Sequence, residues 1–106
     1  MDNEFVTMCE HGTRYEINRL GQIRNKKNQH ILKPILSAIN GYDQVSIYNM
    51  DKKKKCHVRV HRMVCGTFHL NLENKRCVDH IDRNKRNNHA YNLRWATHKE
   101  NYDNKP

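Results

Sequence analysis

Val78-Asp79-His80-Ile81-Asp82-Arg83-Asn84-Lys85-Arg86-Asn87-Asn88-His89-Ala90-Tyr91-Asn92-Leu93-Arg94-Trp95-Ala96-Thr97 is the stretch that decides the fold. Cys77 to Ile81, at its start, is a short apolar run with β-branched residues and predicts a strand. Arg83 to Tyr91 carries no hydrophobic period and is rich in Asn, so it reads as a loop. Leu93 to Ala96 predicts a second short strand. Thr97 with Glu100 three residues on makes a capping box, opening a helix through about Tyr102. The order is strand, Asn-rich loop, strand, helix.

Working back toward the N-terminus, Val60, Val64, Cys65 and Phe68 recur at helical spacing on one face and predict a helix ending near Leu70-Asn71. Before it the period drops to two. Arg14 to Ile17 alternates polar and apolar, Asn18 to Gly21 supplies turn chemistry, and Gln22 to Arg24 resumes the strand pattern. Asn25 to His30 is polar, and Ile31-Leu32-Lys33 runs into Pro34, which suits a strand edge or start. Asn40-Gly41 signals a turn ahead of a strand over Tyr42 to Tyr48, where Val45 and Ile47 alternate with polar neighbours. Asp51 to Lys55 reads as a charged hairpin tip, and Cys56 to Val60 as the returning strand with Val58 and Val60 on one face. The simplest arrangement is a small antiparallel meander.

The chain has 106 residues, which allows one domain, or one domain with a small appended module. Lys plus Arg is 20 and Asp plus Glu is 11, a net charge of +9, with eight histidines besides. The mean hydropathy is −1.09, yet apolar runs and aromatic residues recur, which argues against full disorder. A chain this short buries only about 60–65% of its unfolded surface, so its core is thin. No apolar run approaches the roughly 18 residues that a transmembrane helix needs. The start, Met1-Asp2-Asn3-Glu4, lacks the apolar segment of a secretory signal, so an intracellular protein is expected. In a reducing compartment Cys9, Cys56, Cys65 and Cys77 remain thiols. The basic excess points to a polyanion, nucleic acid above all.

Val78 to Thr97 with His98-Lys99-Glu100-Asn101 resembles the HNH nuclease motif, in the subtype of phage-type HNH homing endonucleases. Val60-His61-Arg62-Met63-Val64 resembles the helix that leads into that motif. Tyr15 to Ile23 and Ile39-Asn40-Gly41-Tyr42 resemble the β-module that often precedes it. The fold class this implies is α+β: a small antiparallel β-module at 1–57, contacting DNA, then a helix and a ββα-metal motif at 58–106.

The resemblance also implies a site. Asp79 and Asn101 are expected to bind one divalent cation, whose oxygen ligands suit Mg²⁺ or Mn²⁺. His80 is expected to be the general base that takes a proton from the attacking water, because an imidazole with a pKa near ~6.5 is mostly neutral at pH 7. Asn92 is expected to bridge the Asn-rich loop and keep His80 oriented. Neighbouring strand residues face opposite sides, so Asp79 and His80 reach one phosphate only if the strand ends or twists there. The family often carries Gly where Arg83 stands; a positive φ there costs an arginine roughly 1 kcal/mol. Asp82 reads as a loop cap rather than a ligand. His89 and His98 match no required role and are expected to be solvated or to contact phosphate. Val64, Phe68 and Trp95 are expected in the core.

Some HNH relatives brace the core with zinc on Cys-x-x-Cys pairs. No such pair exists here, so buried free thiols are the expectation, with a structural Zn²⁺ the less favoured alternative. Three basic groups on turns are expected to track double-stranded DNA: Arg24, Lys26 and Lys27; Lys52, Lys53 and Lys54; and Arg83, Lys85 and Arg86 with Arg94. Arg59, Arg62 and the Tyr42 region are candidates for groove contact. The expected activity is metal-dependent phosphodiester hydrolysis leaving 5′-phosphate and 3′-hydroxyl ends, either as a nicking monomer or as a homodimer cutting both strands. The alternatives are a non-catalytic nucleic-acid binder that keeps the framework and a zinc-stabilised structural partner.

Overall fold

Three small antiparallel sheets and two helices make up the computed structural model, which describes residues 1–104. In the first sheet β1 (Val6–Thr7), β2 (Tyr15–Ile17) and β3 (Ile23–Asn25) lie in that order. The second has the order β4 (Ile35–Leu36), β5 (Asp43–Asn49), β6 (Lys54–Arg59), and the third pairs β7 (Cys77–His80) with β8 (Leu93–Ala96). The helices are α1 (Val60–Phe68) and α2 (His98–Asp103), with a single 3₁₀ turn at Ala90–Asn92. The class is the expected α+β, with an antiparallel β-module, a helix and a ββα unit in that order. Residues 105 and 106, the end of the 58–106 segment, lie outside the described residues.

The β-module differs from one continuous meander, because it splits between β3 and β4 into two sheets. Pro34, with no N–H to give, stands at that break. The sheets are joined instead by the buried Tyr15, whose hydroxyl accepts from the Tyr48 N–H at 2.9 Å. Alternation along β5 puts Val45 and Ile47 inside, each 1% exposed. Val60 is not the end of β6 but the first residue of α1: Arg59 is still extended, and the chain turns helical directly after it. The helix stops at Phe68, short of Leu70-Asn71, because His69 turns extended. His69 is held there by its ring on the Ala90 carbonyl at 2.7 Å and by its own carbonyl, which accepts from the Trp95 indole at 3.0 Å.

One buried cluster draws on both expected segments. Met8, Tyr15, Ile17, Ile23, Val45 and Ile47 meet Val60, Met63, Val64 and Cys65 of α1, together with Val78, Ala90 and Leu93. Phe68 and Trp95 pack against its rim, half-buried. Of the four cysteines only Cys65 fits the buried-thiol expectation, with burial pushing its thiol up to about 12. Cys9, in the bend after β1, is exposed, while Cys56 in β6 and Cys77 in β7 are half-buried, because the core is too thin to cover them. Among the described residues no group of three or more His, Cys, Asp or Glu side chains is placed to hold a metal ion, and no helix is long and apolar enough to cross a membrane.

The ββα unit is fastened by local chemistry. Thr97 Oγ1 accepts from the Glu100 N–H at 3.1 Å and Glu100 Oε1 accepts from the Thr97 N–H at 2.9 Å, completing the capping box. The Thr97 N–H and the Lys75 ammonium hold the Glu100 carboxyl down to about 2. Gly21, at φ +89°, is where the Asn-rich loop meets the first sheet. A Cβ there would stand 3.0 Å from the Asn88 carbonyl, so loop and sheet approach closely only because it is glycine. The Ala90 N–H donates to the Arg19 carbonyl at 2.8 Å and pins the loop further.

Candidate active site

Asp79 and His80 are the last two residues of β7, paired in register with Arg94 and Leu93 of β8. The strand ends at His80, where the Arg83 N–H donates back to the His80 carbonyl at 2.9 Å and Arg83 turns to φ +68°. This is the strand ending that lets two neighbours share one site. Tyr42, Asp79, His80, Arg83, Lys85, Asn101 and Asn104 line a single open cavity of about 470 Å³. The carboxylate, the imidazole and the Asn101 carboxamide singled out from the sequence are therefore brought together.

The Asp79 carboxylate is 3% exposed. Its Oδ2 accepts from Arg94 Nε at 2.9 Å, and the Asn104 amide nitrogen lies 3.0 Å from both of its oxygens. That same nitrogen is 3.0 Å from the His80 carbonyl and 3.5 Å from the Ile81 carbonyl. Two N–H bonds cannot satisfy four oxygens, so acceptor capacity is left over around Asp79. Asn101, three residues and one helical turn before Asn104, keeps its side-chain amide free of hydrogen bonds to other described residues. A buried carboxylate, surplus carbonyl oxygens and a free carboxamide form a hard, all-oxygen donor set that fits Mg²⁺ or Mn²⁺ and suits zinc poorly.

His80 is 6% exposed, and its Nε2 is 2.9 Å from Asn88 Oδ1. Its ring lies 5.1 Å from that of His61 and 5.8 Å from that of Tyr42, while Tyr42 and His61 stack at 4.4 Å. His61, from α1, is 4% exposed, and its Nδ1 is buried with no hydrogen-bond partner among the described residues. Burial, first, and then the charges of His80, Arg62 and Arg59 lower its pKa from 6.5 to about 3, so its ring is neutral.

Behind the cavity, Asn92 ties the loop together. Its Oδ1 accepts from the Asp82 N–H at 3.0 Å, and its Nδ2 donates to Asp82 Oδ1 and to the Asn87 carbonyl, both at 2.9 Å. Asp82 is exposed and acts as a loop cap, also accepting from the Asn84 N–H at 2.8 Å and Asn87 Nδ2 at 2.8 Å. The Asn87, Asn84 and Asn92 donors hold its carboxyl below the ordinary Asp range.

The two histidines expected to be solvated or to contact phosphate both have partners, although His98 is exposed. His89 bonds Asp2 Oδ2 at 2.9 Å and accepts from the Tyr91 N–H at 3.1 Å, so it caps the 3₁₀ turn and ties down the N-terminus. His98 stands 3.2 Å from the Cys77 sulfur, because the start of α2 packs beside the start of β7.

The basic residues divide. Arg24 is ion-paired to Glu16 at 2.6 Å and stacked on Phe5, and Lys26 reaches the Thr7 hydroxyl at 3.1 Å. Arg86 pairs with Asp43, Arg94 with Asp79, and Arg62 donates to the Arg76 carbonyl. Lys27, Lys52, Lys53, Lys54 and Arg59 are exposed, with the Arg59 guanidinium 5.9 Å from the Tyr42 ring. Lys85 donates to the Asn40 carbonyl at 3.0 Å and, with Arg83, walls the cavity.

Sequence reasoning gave no role to Asn104, Asn88, Asp43 or His61. Asn104 had a local signal, since it caps the C-terminal end of α2 three residues beyond Asn101.

Comparison with known proteins agrees with this fold. The profile of the HNH endonuclease family matches residues 58–102. An uncharacterized HNH endonuclease, L245, of Acanthamoeba polyphaga mimivirus is 37% identical over 92 residues, which is 87% of this chain and 27% of that protein. The DNA endonuclease I-HmuI of Bacillus phage SP01 is 34% identical over 90 residues, 85% of this chain and 50% of that protein. The solved structure of the HNH homing endonuclease I-HmuI, described as showing DNA binding and cleavage, superposes with a TM-score of 0.81 at 30% identity. That match covers 95% of this chain and 56% of the other. The chain thus spans between about a quarter and about half of these relatives' length. With the motif, the ββα geometry and these likenesses in agreement, the chain belongs to the HNH endonuclease family.

Proposed function

We propose that the chain is a metal-dependent endonuclease acting on double-stranded DNA inside a cell. The observation that carries the reading is the single cavity shared by Asp79, His80 and Asn101, with Arg83 and Lys85 at its wall. Asp79 and Asn101 would hold one Mg²⁺ or Mn²⁺. When bound, such a cation stabilises negative charge growing on the scissile phosphate and the leaving 3′ oxygen.

The chain's own residues supply the rest. His80 takes a proton from the attacking water, and its burial beside His61 and Tyr42 keeps competing bulk water away from most of the ring. Arg83 and Lys85 attract the phosphate, and Arg94 holds the Asp79 carboxylate in place. Asn92 sets the loop that follows His80. Hydrolysis then leaves 5′-phosphate and 3′-hydroxyl ends. Segment 58–106 carries the reaction, and segment 1–57 adds the DNA-facing lysines of its turns. Lys27, Lys52, Lys53, Lys54, Arg59, Arg83 and Lys85 form the backbone-tracking surface. Arg24, Lys26, Arg62, Arg86 and Arg94 contribute charge to it while remaining bound within the fold.

Supercoiled plasmid incubated with the protein and Mg²⁺ is expected to be cut, with no cutting in EDTA or by His80→Ala. Accumulating nicked circles identify a monomer acting on one strand, and linear products a homodimer acting on both. DNA binding without metal-dependent cutting by the unmodified protein would establish the non-catalytic binder instead.

A further inference from the structure

We propose that Asp43 and Asn88 are positioning residues that fix the tautomer of His80, which makes the β-module part of the catalytic machinery. This rests on the reading of His80 as the base. Asp43 opens β5, lies outside residues 58–102, and is 6% exposed. Its Oδ1 accepts from Arg86 Nε at 3.0 Å and its Oδ2 from Asn88 Nδ2 at 3.3 Å. Asn88, 7% exposed, turns its other end to His80.

The chemistry of these groups leaves one self-consistent arrangement. A carboxylate paired with a guanidinium only accepts, so Asn88 must present its NH₂ to Asp43. Its carbonyl oxygen then faces His80, and an oxygen also only accepts, so Nε2 must carry the hydrogen. A neutral imidazole has one N–H, which leaves Nδ1 as the nitrogen that accepts a proton. Contacts at both ends of the amide thus fix its orientation. All three residues are buried, so water does not compete for these bonds. The tight approach at Gly21 and the Ala90 to Arg19 bond hold the loop carrying Asn88 against the first sheet.

A purely structural staple between β5 and the loop would use the same contacts, and the tautomer tells the two apart. Asp43→Asn is isosteric. With its oxygen on Arg86 it offers NH₂ to Asn88, forces that amide to turn over, and presents NH₂ to Nε2. The proton is then expected on Nδ1, where it blocks the base. In the swapped pair Asp43→Asn with Asn88→Asp, residue 88 accepts from both sides and the original tautomer returns.

The experiment is ¹⁵N NMR of the imidazole nitrogens in metal-free protein, joined to single-turnover plasmid nicking in Mg²⁺. Unmodified protein is expected to show His80 protonated at Nε2 and Asp43→Asn at Nδ1. The cutting rate of Asp43→Asn is expected to fall about 10²–10³-fold with DNA affinity not weakened, less than the roughly 10⁴-fold that a wrong tautomer costs a serine-protease triad through direct contact. The swapped pair is expected to recover to within about tenfold of the unmodified rate, a rescue that follows from restoring one N–H. An Nδ1–H tautomer in the unmodified protein overturns the proposal even if the variants do not fold. So does an Asp43→Asn protein with unchanged tautomer or unchanged rate. An unmodified protein that cuts no DNA but shows the tautomer reversal supports the brace and overturns the nuclease reading alone.

Discussion

Acid should unfold this protein through His61 well before its carboxylates matter. Unfolded, the imidazole takes a proton near pH 6.5; folded, it takes one only near 3. Between those values the unfolded chain binds more protons, so lowering the pH pulls the equilibrium toward unfolding. The stability tied to a neutral His61 is therefore complete above about pH 6.5 and is lost progressively as the pH falls toward 3. The limiting slope is about 1.4 kcal/mol per pH unit. From pH 7 to pH 5 the loss from this one group is about 2 kcal/mol, a large share of the roughly 5–15 kcal/mol available to a small domain. Glu100 and Asp82, with lowered values, lose their contribution only below about 4.5 and 3.8, outside that window. The assay is urea denaturation at half-unit steps from pH 7 to pH 5, on the unmodified protein and on His61→Phe. Phenylalanine fills the stack against Tyr42 without a titrating nitrogen, so its stability should vary with pH by about 2 kcal/mol less over the range. Equal pH slopes in the two proteins would refute the reasoning, because burial of the neutral ring is its only premise.

Three further outcomes are expected. Asn92→Ala leaves the Asp82 N–H and the Asn87 carbonyl without their partner; the loss should be about 2–4 kcal/mol in denaturant melts, and a change near zero would show that the loop stands without it. Arg83→Gly relieves a non-glycine φ of +68° and should raise stability by about 1 kcal/mol, or about 4–8 °C in Tm by calorimetry, while removing one cation from the cavity wall. Duplex DNA affinity, followed by fluorescence anisotropy, should fall about 10³-fold from 50 to 200 mM salt if roughly six phosphates are engaged. A fall of less than about tenfold over that range would mean one or two contacts and a far smaller surface.

How far the sequence discloses this molecule depends on how far each determinant reaches along the chain. Thr97 and Glu100 fix the start of α2 within one turn, and the capping box stands as read. The same holds for the Asn40-Gly41 turn, where Gly41 sits at φ +77°, and for the alternation of Val45 and Ile47 in β5. Boundaries slipped where a distant partner decided them. Nothing within α1 ends it at Phe68; Ala90 and Trp95, 21 and 26 residues on, take His69 out of the helix. The site follows the same rule. Asp79, His80, Asn92 and Asn101 lie within one contiguous motif, so their spacing carries the information. Asp43 is 45 residues from Asn88 and His61 sits on another element altogether, so no local period records that they meet. Both are buried polar groups in a chain too short to hide many, and such a group costs stability unless something holds it there. Asp43 is satisfied through Arg86 and Asn88. His61 Nδ1 is satisfied by nothing among the described residues, and its ring packs against both Tyr42 and the proposed base. Among the described residues this is the one buried side-chain nitrogen or oxygen without a partner, and it stands beside the proposed base, where the cost in stability of leaving it unpaired is accepted.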